Sequence, residues 1–203
     1  MKTLILARHA HAVSNEGDVA NAVPPGRGLS GRGSEQARTL GAVLAPERID
    51  LGVSSRLQRT HDTLALALAG RDTPCVVEPL LDEIGFGSFE GGPLASYRTW
   101  AWTHAPSADC PGAGESRART AARLAEAVDA LLRRPERVLL AVSHGLPVRY
   151  MLDAAEGRAP SQRLEPVPHA TPYRLERAAV ERAAATLAAW AAAPVFPDAP
   201  FGG

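Results

Sequence analysis

Two apolar runs set the architecture of this chain. Leu4-Ile5-Leu6-Ala7 stops abruptly at Arg8-His9, and Val138-Leu139-Leu140-Ala141-Val142 stops at Ser143-His144-Gly145. Both are too short for buried helices, so TLILA (3–7) and RVLLAVS (137–143) read as buried strands. IDLGVSS (49–55) and CVVEP (75–79) read as two further strands, and ATPYRLE (170–176) as a last one. Helical spacing separates them. One helix starts at the N-cap candidate Ser30 in SGRGSEQARTLGAVLA, and RTHDTLALALAG forms a second that stops at Gly70. GESRARTAARLAEAVDALLRR is a long amphipathic helix ended by Pro135. GLPVRYMLDAA and VERAAATLAAWAAA supply two more, whereas 12–28 and 82–114 read as irregular. Strands alternating with helices predict an α/β fold, a three-layer α/β/α sandwich around a mostly parallel central sheet. A single domain is expected over 1–193, with a short cap segment near 91–113 and a loose tail at 194–203.

Composition narrows the function classes. Lys+Arg and Asp+Glu are equal at 22 each, so no basic excess points to nucleic acid. No stretch approaches the ~20 apolar residues of a membrane span, and the first apolar run ends too soon for a signal peptide. Cys75 and Cys110 lack the spacing of a metal site or a disulfide framework, which suits reduced thiols in the cytoplasm. The expected partner is a small molecule, with neither nucleic acid nor membrane involved; a homodimer is left open.

In open parallel sheets, ligands sit beyond the carboxyl ends of the strands. Three predicted strands end in polar residues: at Arg8-His9, at Ser54-Ser55-Arg56 and at Ser143-His144-Gly145. Their common edge would gather Arg8, His9, Arg56 or Arg59, and His144, within reach of Glu83 or Asp82. Arginine presents paired N–H donors to a phosphate or carboxylate. The turn after His144, beginning at Gly145, adds backbone N–H groups and a helix dipole. A phosphoryl group is the natural guest. A neutral imidazole is a competent nucleophile toward phosphorus, and a departing alkoxide needs a carboxylic acid close by. His9 with His11 forms an H-x-H pair, but no cluster supports a metal. His61, His104 and His169 read as surface or packing residues, and Glu90 as structural.

At this point the motifs resemble the histidine phosphatase superfamily, in its phosphoglycerate-mutase-like branch, over roughly Thr3 to Glu176. Arg8-His9-Ala10 with Asn15 is similar to R-H-G-x-x-x-x-N, and LSGRGSEQA (29–37) to L-T-x-x-G-x-x-Q-A. SRLQRTHDT (55–63) resembles S-x-L-x-R-A-x-x-T, which selects Arg59 over Arg56. LLDEIGFGSFEG (80–91) resembles L-x-E-I-x-F-G-x-x-E-G, which selects Glu83 over Asp82. GES (114–116) with Arg123, and VSHG (142–145), complete the series. The resemblance implies His9 as a phosphorylated nucleophile and Glu83 as proton donor. It also implies Arg8, Arg59, His144 and Gly145 as a phosphate pocket with Asn15 nearby, and no metal or cofactor. Ala10 departs from the family glycine; if that position needs positive φ, alanine costs ~1 kcal/mol. Ala12 stands where many members carry a hydroxyl, and Thr60 replaces an alanine.

The segment GGPLASYRTWAWTHAPSADCPG holds one arginine, Arg98, and is short. That favours hydrolysis of a phosphomonoester over a phosphoglycerate-type mutase. Tyr97, Trp100 and Trp102 either stack on a leaving group or pack this segment down. Two other readings are a non-catalytic phosphate-ligand binder on the same fold, and a serine hydrolase built on Ser143 at its strand-to-helix turn.

Overall fold

A computed structural model describes residues 1–197. Along the chain run β1 (Thr3–Arg8), α1 (Val13–Glu16), α2 (Gly31–Val43), β2 (Leu51–Ser54), α3 (Gln58–Ala67) and β3 (Cys75–Val77). Then come α4 (Leu94–Ala101), α5 (Arg117–Leu132), β4 (Val138–Ser143), α6 (Gly145–Ala155), β5 (Pro172–Glu176) and α7 (Arg177–Ala192). The strands form one sheet in the order β3-β2-β4-β1-β5. β4 runs parallel to both β1 and β2, β2 parallel to β3, and β5 antiparallel to β1 at the edge.

The strand side chains alternate between two cores, as their period of two requires. Leu4, Leu6, Leu139 and Ala141 join the helices α5, α6 and α7 on one face. Ile5, Ala7, Leu140 and Val142 pack with Leu40 of α2 and Leu64 of α3 on the other. A central sheet buried on both faces accounts for the unbroken apolar runs. This is the expected three-layer α/β/α sandwich.

Local chemistry fixes the helix starts. Ser30 Oγ accepts from Gly33 N at 3.1 Å, and Ser116 Oγ from Arg119 N at 3.2 Å, both N-caps. Gly33 has a second reason to be glycine. A Cβ there would lie 1.9 Å from the His11 carbonyl oxygen, so α2 starts tight against the backbone next to His9.

Several expectations change. The irregular reading of 82–114 misses α4, and the loop reading of 12–28 misses the single turn α1. Aromatic and Gly/Pro density hides both. α7 begins at Arg177, directly after β5, rather than at Val180. The expected strand at 75–79 is present as β3, with all three residues exposed at the sheet edge. The tail is not loose where it is described: Phe196 is buried against Trp190, whose Nε1 donates to Val195 O at 2.7 Å. The rest of that tail, 198–203, lies outside the described residues.

Leu140 is fully buried at the centre of the smaller core. Leu140→Ala should therefore lower the urea-unfolding free energy by about 2–5 kcal/mol, read as a shifted midpoint with an unchanged slope.

Candidate active site

The register of the sheet brings the three polar strand ends together. Arg8 pairs with Ser143, and Ser54 with Val142. Just past β1, His9 N donates to Ser143 O at 2.8 Å. On the other side, Ala170 N donates to Arg8 O at 3.0 Å and His169 Nδ1 to His9 O at 2.8 Å. His9 is 3% exposed, Arg59 3% and His144 not at all.

Arg59, from the first turn of α3, joins the two histidines. Its Nε donates to His9 Nε2 at 3.1 Å and its second terminal nitrogen to His144 Nδ1 at 3.1 Å. A guanidinium only donates, so each of those ring nitrogens must offer a lone pair. The tautomers follow. His9 carries its proton on Nδ1 and donates to Ala10 O at 2.7 Å, leaving Nε2 free of hydrogen. His144 carries its proton on Nε2 and donates to Ser55 Oγ at 2.8 Å. Ser55 passes its own hydrogen to Thr60 Oγ1 at 3.0 Å, and Thr60 donates to Leu57 O at 2.7 Å. Thr60, the departure from the family alanine, thus terminates a chain that orients His144.

Burial and neighbouring cations keep both rings neutral. Desolvation first, then the Arg59 and Arg8 charges, hold His9 well below the ordinary imidazole range. Desolvation and Arg59 do the same to His144. Burial lowers Arg59 to about 10, still charged at neutral pH. Arg8 donates to Val167 O at 2.8 Å, while its buried Nε has no partner among the described residues.

Glu83 faces this cationic group. Desolvation raises its carboxyl above the usual range, against the pull of the Ile84 N–H, Arg59, Arg8 and Arg123. Arg123 fixes the loop that carries it. Its guanidinium donates to the carbonyls of Leu80, Asp82 and Glu83 at 2.7, 2.9 and 3.1 Å, and pairs with Glu115 at 2.7 Å. Asp82, the rival acid, is spent on Arg56, which it binds at 2.7 Å through the side chain and 2.8 Å through the backbone N–H. One ion pair removes both runner-up residues from the centre.

The other expected residues divide. Gly145 lies within 3.7 Å of the Arg8 guanidinium, measured from where a Cβ would stand. Asn15 is engaged locally, its Oδ1 accepting from Ala12 N at 2.9 Å. Ala10 is buried but does not adopt positive φ, so alanine replaces glycine there without backbone strain. Ser143 is fully buried and donates to Leu81 O at 2.7 Å. Asp153 pairs with Arg149 and Arg158, and His169 with the His9 backbone, so no serine triad forms among the described residues.

Two participants, Asn21 and His169, escaped the sequence, while Glu90 keeps the structural role expected of it. Asn21 accepts from Arg59 at 3.1 Å through its side chain and 2.8 Å through its carbonyl. Glu90 holds that loop by accepting from Asn21 Nδ2 and the Ala22 and Val23 N–H groups. His169 lies beside His9, ring centres 5.4 Å apart, and burial lowers it to about 4. An asparagine in a Gly/Pro-rich loop and a histidine before a strand carry no local signal. Only the glutamate in F-G-x-x-E-G could have flagged the loop.

A cavity of about 370 Å³ opens beside Arg8, Glu83 and Gly145. Phe86, Tyr97 and Trp102 wall it on the α4 side, and Leu146, Leu164 and Val167 on the other. Trp102 therefore faces the cavity, whereas Trp100 stacks on His104 at 4.6 Å. No helix among the described residues is long and apolar enough to cross a membrane.

The buried neutral histidines predict a pH effect on stability. Folded His9, His144 and His169 titrate below the ordinary value of about 6.5, so the unfolded chain binds more protons as pH falls through that value. Stability should decline from pH 7 to pH 5, read by urea melts. Glu83, raised in the folded state, opposes this with a single proton.

The family model for the histidine phosphatase superfamily (branch 1) matches residues 4–192. Adenosylcobalamin/alpha-ribazole phosphatases of Salmonella typhimurium and Escherichia coli are 34% identical over 87 residues, 43% of this chain. The match spans less than half of those relatives, 43% and 42% of their lengths. The alpha-ribazole phosphatase of Shigella flexneri has a similar structure (TM-score 0.73, 26% identity, 85% of this chain and 89% of that one). So does a mycobacterial glucosyl-3-phosphoglycerate phosphatase solved with VO3 (TM-score 0.70, 26% identity, 86% and 90%). The chain belongs to the histidine phosphatase superfamily, branch 1.

Proposed function

We propose that the protein hydrolyses phosphomonoesters of small molecules through a phosphohistidine on His9. One observation carries the reading: a buried guanidinium, Arg59, joins a hydrogen-free His9 Nε2 to His144 beside an acid of raised pKa.

The phosphoryl oxygens enter among Arg8, Arg59, His144 and the Gly145 N–H. Arg59 turns its N–H from His9 Nε2 onto an oxygen, which releases the lone pair. Nε2 attacks phosphorus in line, and the P–O ester bond breaks with its electron pair on the leaving oxygen. Glu83 gives that oxygen its proton. Water then attacks the phosphohistidine, Glu83 recovers a proton from it, and phosphate leaves with His9 neutral again. The cations offset charge on the equatorial oxygens. Depressed basicity serves the first step, since no proton must leave Nε2 before attack. The scheme calls for no metal ion.

The aromatic and aliphatic cavity next to Glu83 supports a leaving group with an apolar body. The relatives named above make ribazole phosphate a candidate to assay, beside nucleotide and sugar monoesters.

His9→Ala should abolish phosphate release, and full activity in that variant would refute the assignment. Vanadate should inhibit and EDTA should not. Glu83→Gln should slow alkyl phosphates by about 10²–10⁴ and nitrophenyl phosphate far less, because a good leaving group departs without a proton. Equal slowing of both would remove Glu83 as the acid.

A further inference from the structure

The three aromatic residues of the α4 region take different roles. Tyr97 is 4% exposed, its ring wedged against Phe86 and Phe89 at 4.8 and 6.2 Å between centres. Trp100 is stacked on His104. Both pack their segment down. Trp102 does not: among the described residues it is the one phenylalanine, tyrosine or tryptophan that is exposed, at 38%, and it lines the cavity that holds Arg8 and Glu83.

Trp102 is nevertheless held in place. Its backbone N–H donates to Arg98 O at 3.0 Å, and its carbonyl accepts from Gln162 Nε2 at 2.8 Å. The next residue, Arg163, sets its guanidinium over the indole, 5.0 Å from the ring centre. Arg163 is exposed and takes no part in the cavity lining, so it covers a part of the indole that the cavity does not use. Leu146, Leu164 and Val167 form the other wall. A slot with one aromatic and one aliphatic wall suits a flat guest better than a rounded one.

We infer that Trp102 determines specificity by stacking on the leaving group, and that this leaving group is a neutral, planar aromatic ring system. The inference deepens the phosphomonoester reading of the main site and rests on it. A flat ring meets an indole over more of its surface than a saturated ring does, and adds the quadrupole attraction of an aromatic pair. The guanidinium already over the indole draws on its negative face, which disfavours a second cation such as a quaternary ammonium. Because the indole is fastened before a guest arrives, little side-chain freedom is lost on stacking.

Calorimetry on His9→Ala, where turnover does not intervene, compares naphthyl phosphate with its saturated decahydronaphthyl counterpart and with phosphocholine. An aromatic pair predicts about three- to tenfold tighter binding of the naphthyl ester than of the saturated one, with phosphocholine the weakest. Adding Trp102→Leu, which keeps an apolar side chain at an exposed position, should bring the ratio of the two esters close to one. Adding Trp100→Leu should leave it. Equal affinities of the two esters with Trp102 intact, or no binding of either, overturn the proposal whether or not Trp102→Leu folds. So does a ratio that survives Trp102→Leu or disappears in Trp100→Leu, and so does phosphocholine binding as tightly as the naphthyl ester. If the ratio behaves as expected but the unmodified protein releases phosphate from neither ester, hydrolysis fails as a reading and the stacking site stands.

Discussion

A single guanidinium organises this molecule's functional edge. Arg59 reaches His9 beyond β1, His144 beyond β4 and Asn21 in the long loop after α1, so three distant stretches of chain share one cation. Its five donors and planar shape let it do this without a carboxylate. Burial makes each contact directional, because the groups have little water to exchange with. The tautomers of both imidazoles are consequences of where Arg59 sits, and so is the availability of the His9 lone pair.

That arrangement is electrostatically expensive, and its surroundings show how the cost is contained. A buried cation, Arg59, and a half-buried one, Arg8, stand near two buried rings, and desolvation keeps the rings uncharged rather than adding to the repulsion. The nearby acid is held by its backbone and by Arg123, not by an ion pair of its own. Asp82 could have neutralised the pocket but is withdrawn by Arg56. What remains is a pocket with an excess of donors, and Arg8 Nε, without a partner among the described residues, is its visible sign. An incoming dianion would meet groups already aligned for it.

The sheet and the strand-end residues were legible because each rests on a local pattern. Unbroken apolar runs mark strands covered on both faces, and an arginine or serine at their ends marks the edge. The choice between Arg56 and Arg59, or Asp82 and Glu83, was not legible from the physics of neighbouring residues. It depends on an ion pair between positions 26 apart, and only the family resemblance separated the members of each pair. α4 was hidden because its sequence mixes small and aromatic residues, and its Tyr97 is buried by contacts with Phe86 and Phe89 rather than by a clean helical stripe. Asn21 and His169 are held by partners 38 and 160 positions away, which no reading of their neighbours could supply.

The backbone around His9 has a further implication. Its N–H is held by β4, its carbonyl by His169, and the preceding carbonyl by Ala170, so the main chain is gripped from both flanks. The ring itself is tethered through Nδ1 to the next carbonyl. With so little slack in the peptide, adjustment to a guest falls to long side chains whose guanidiniums can swing. Selectivity among guests would then be tuned by changing the reach of those arms, leaving the ring they surround stationary.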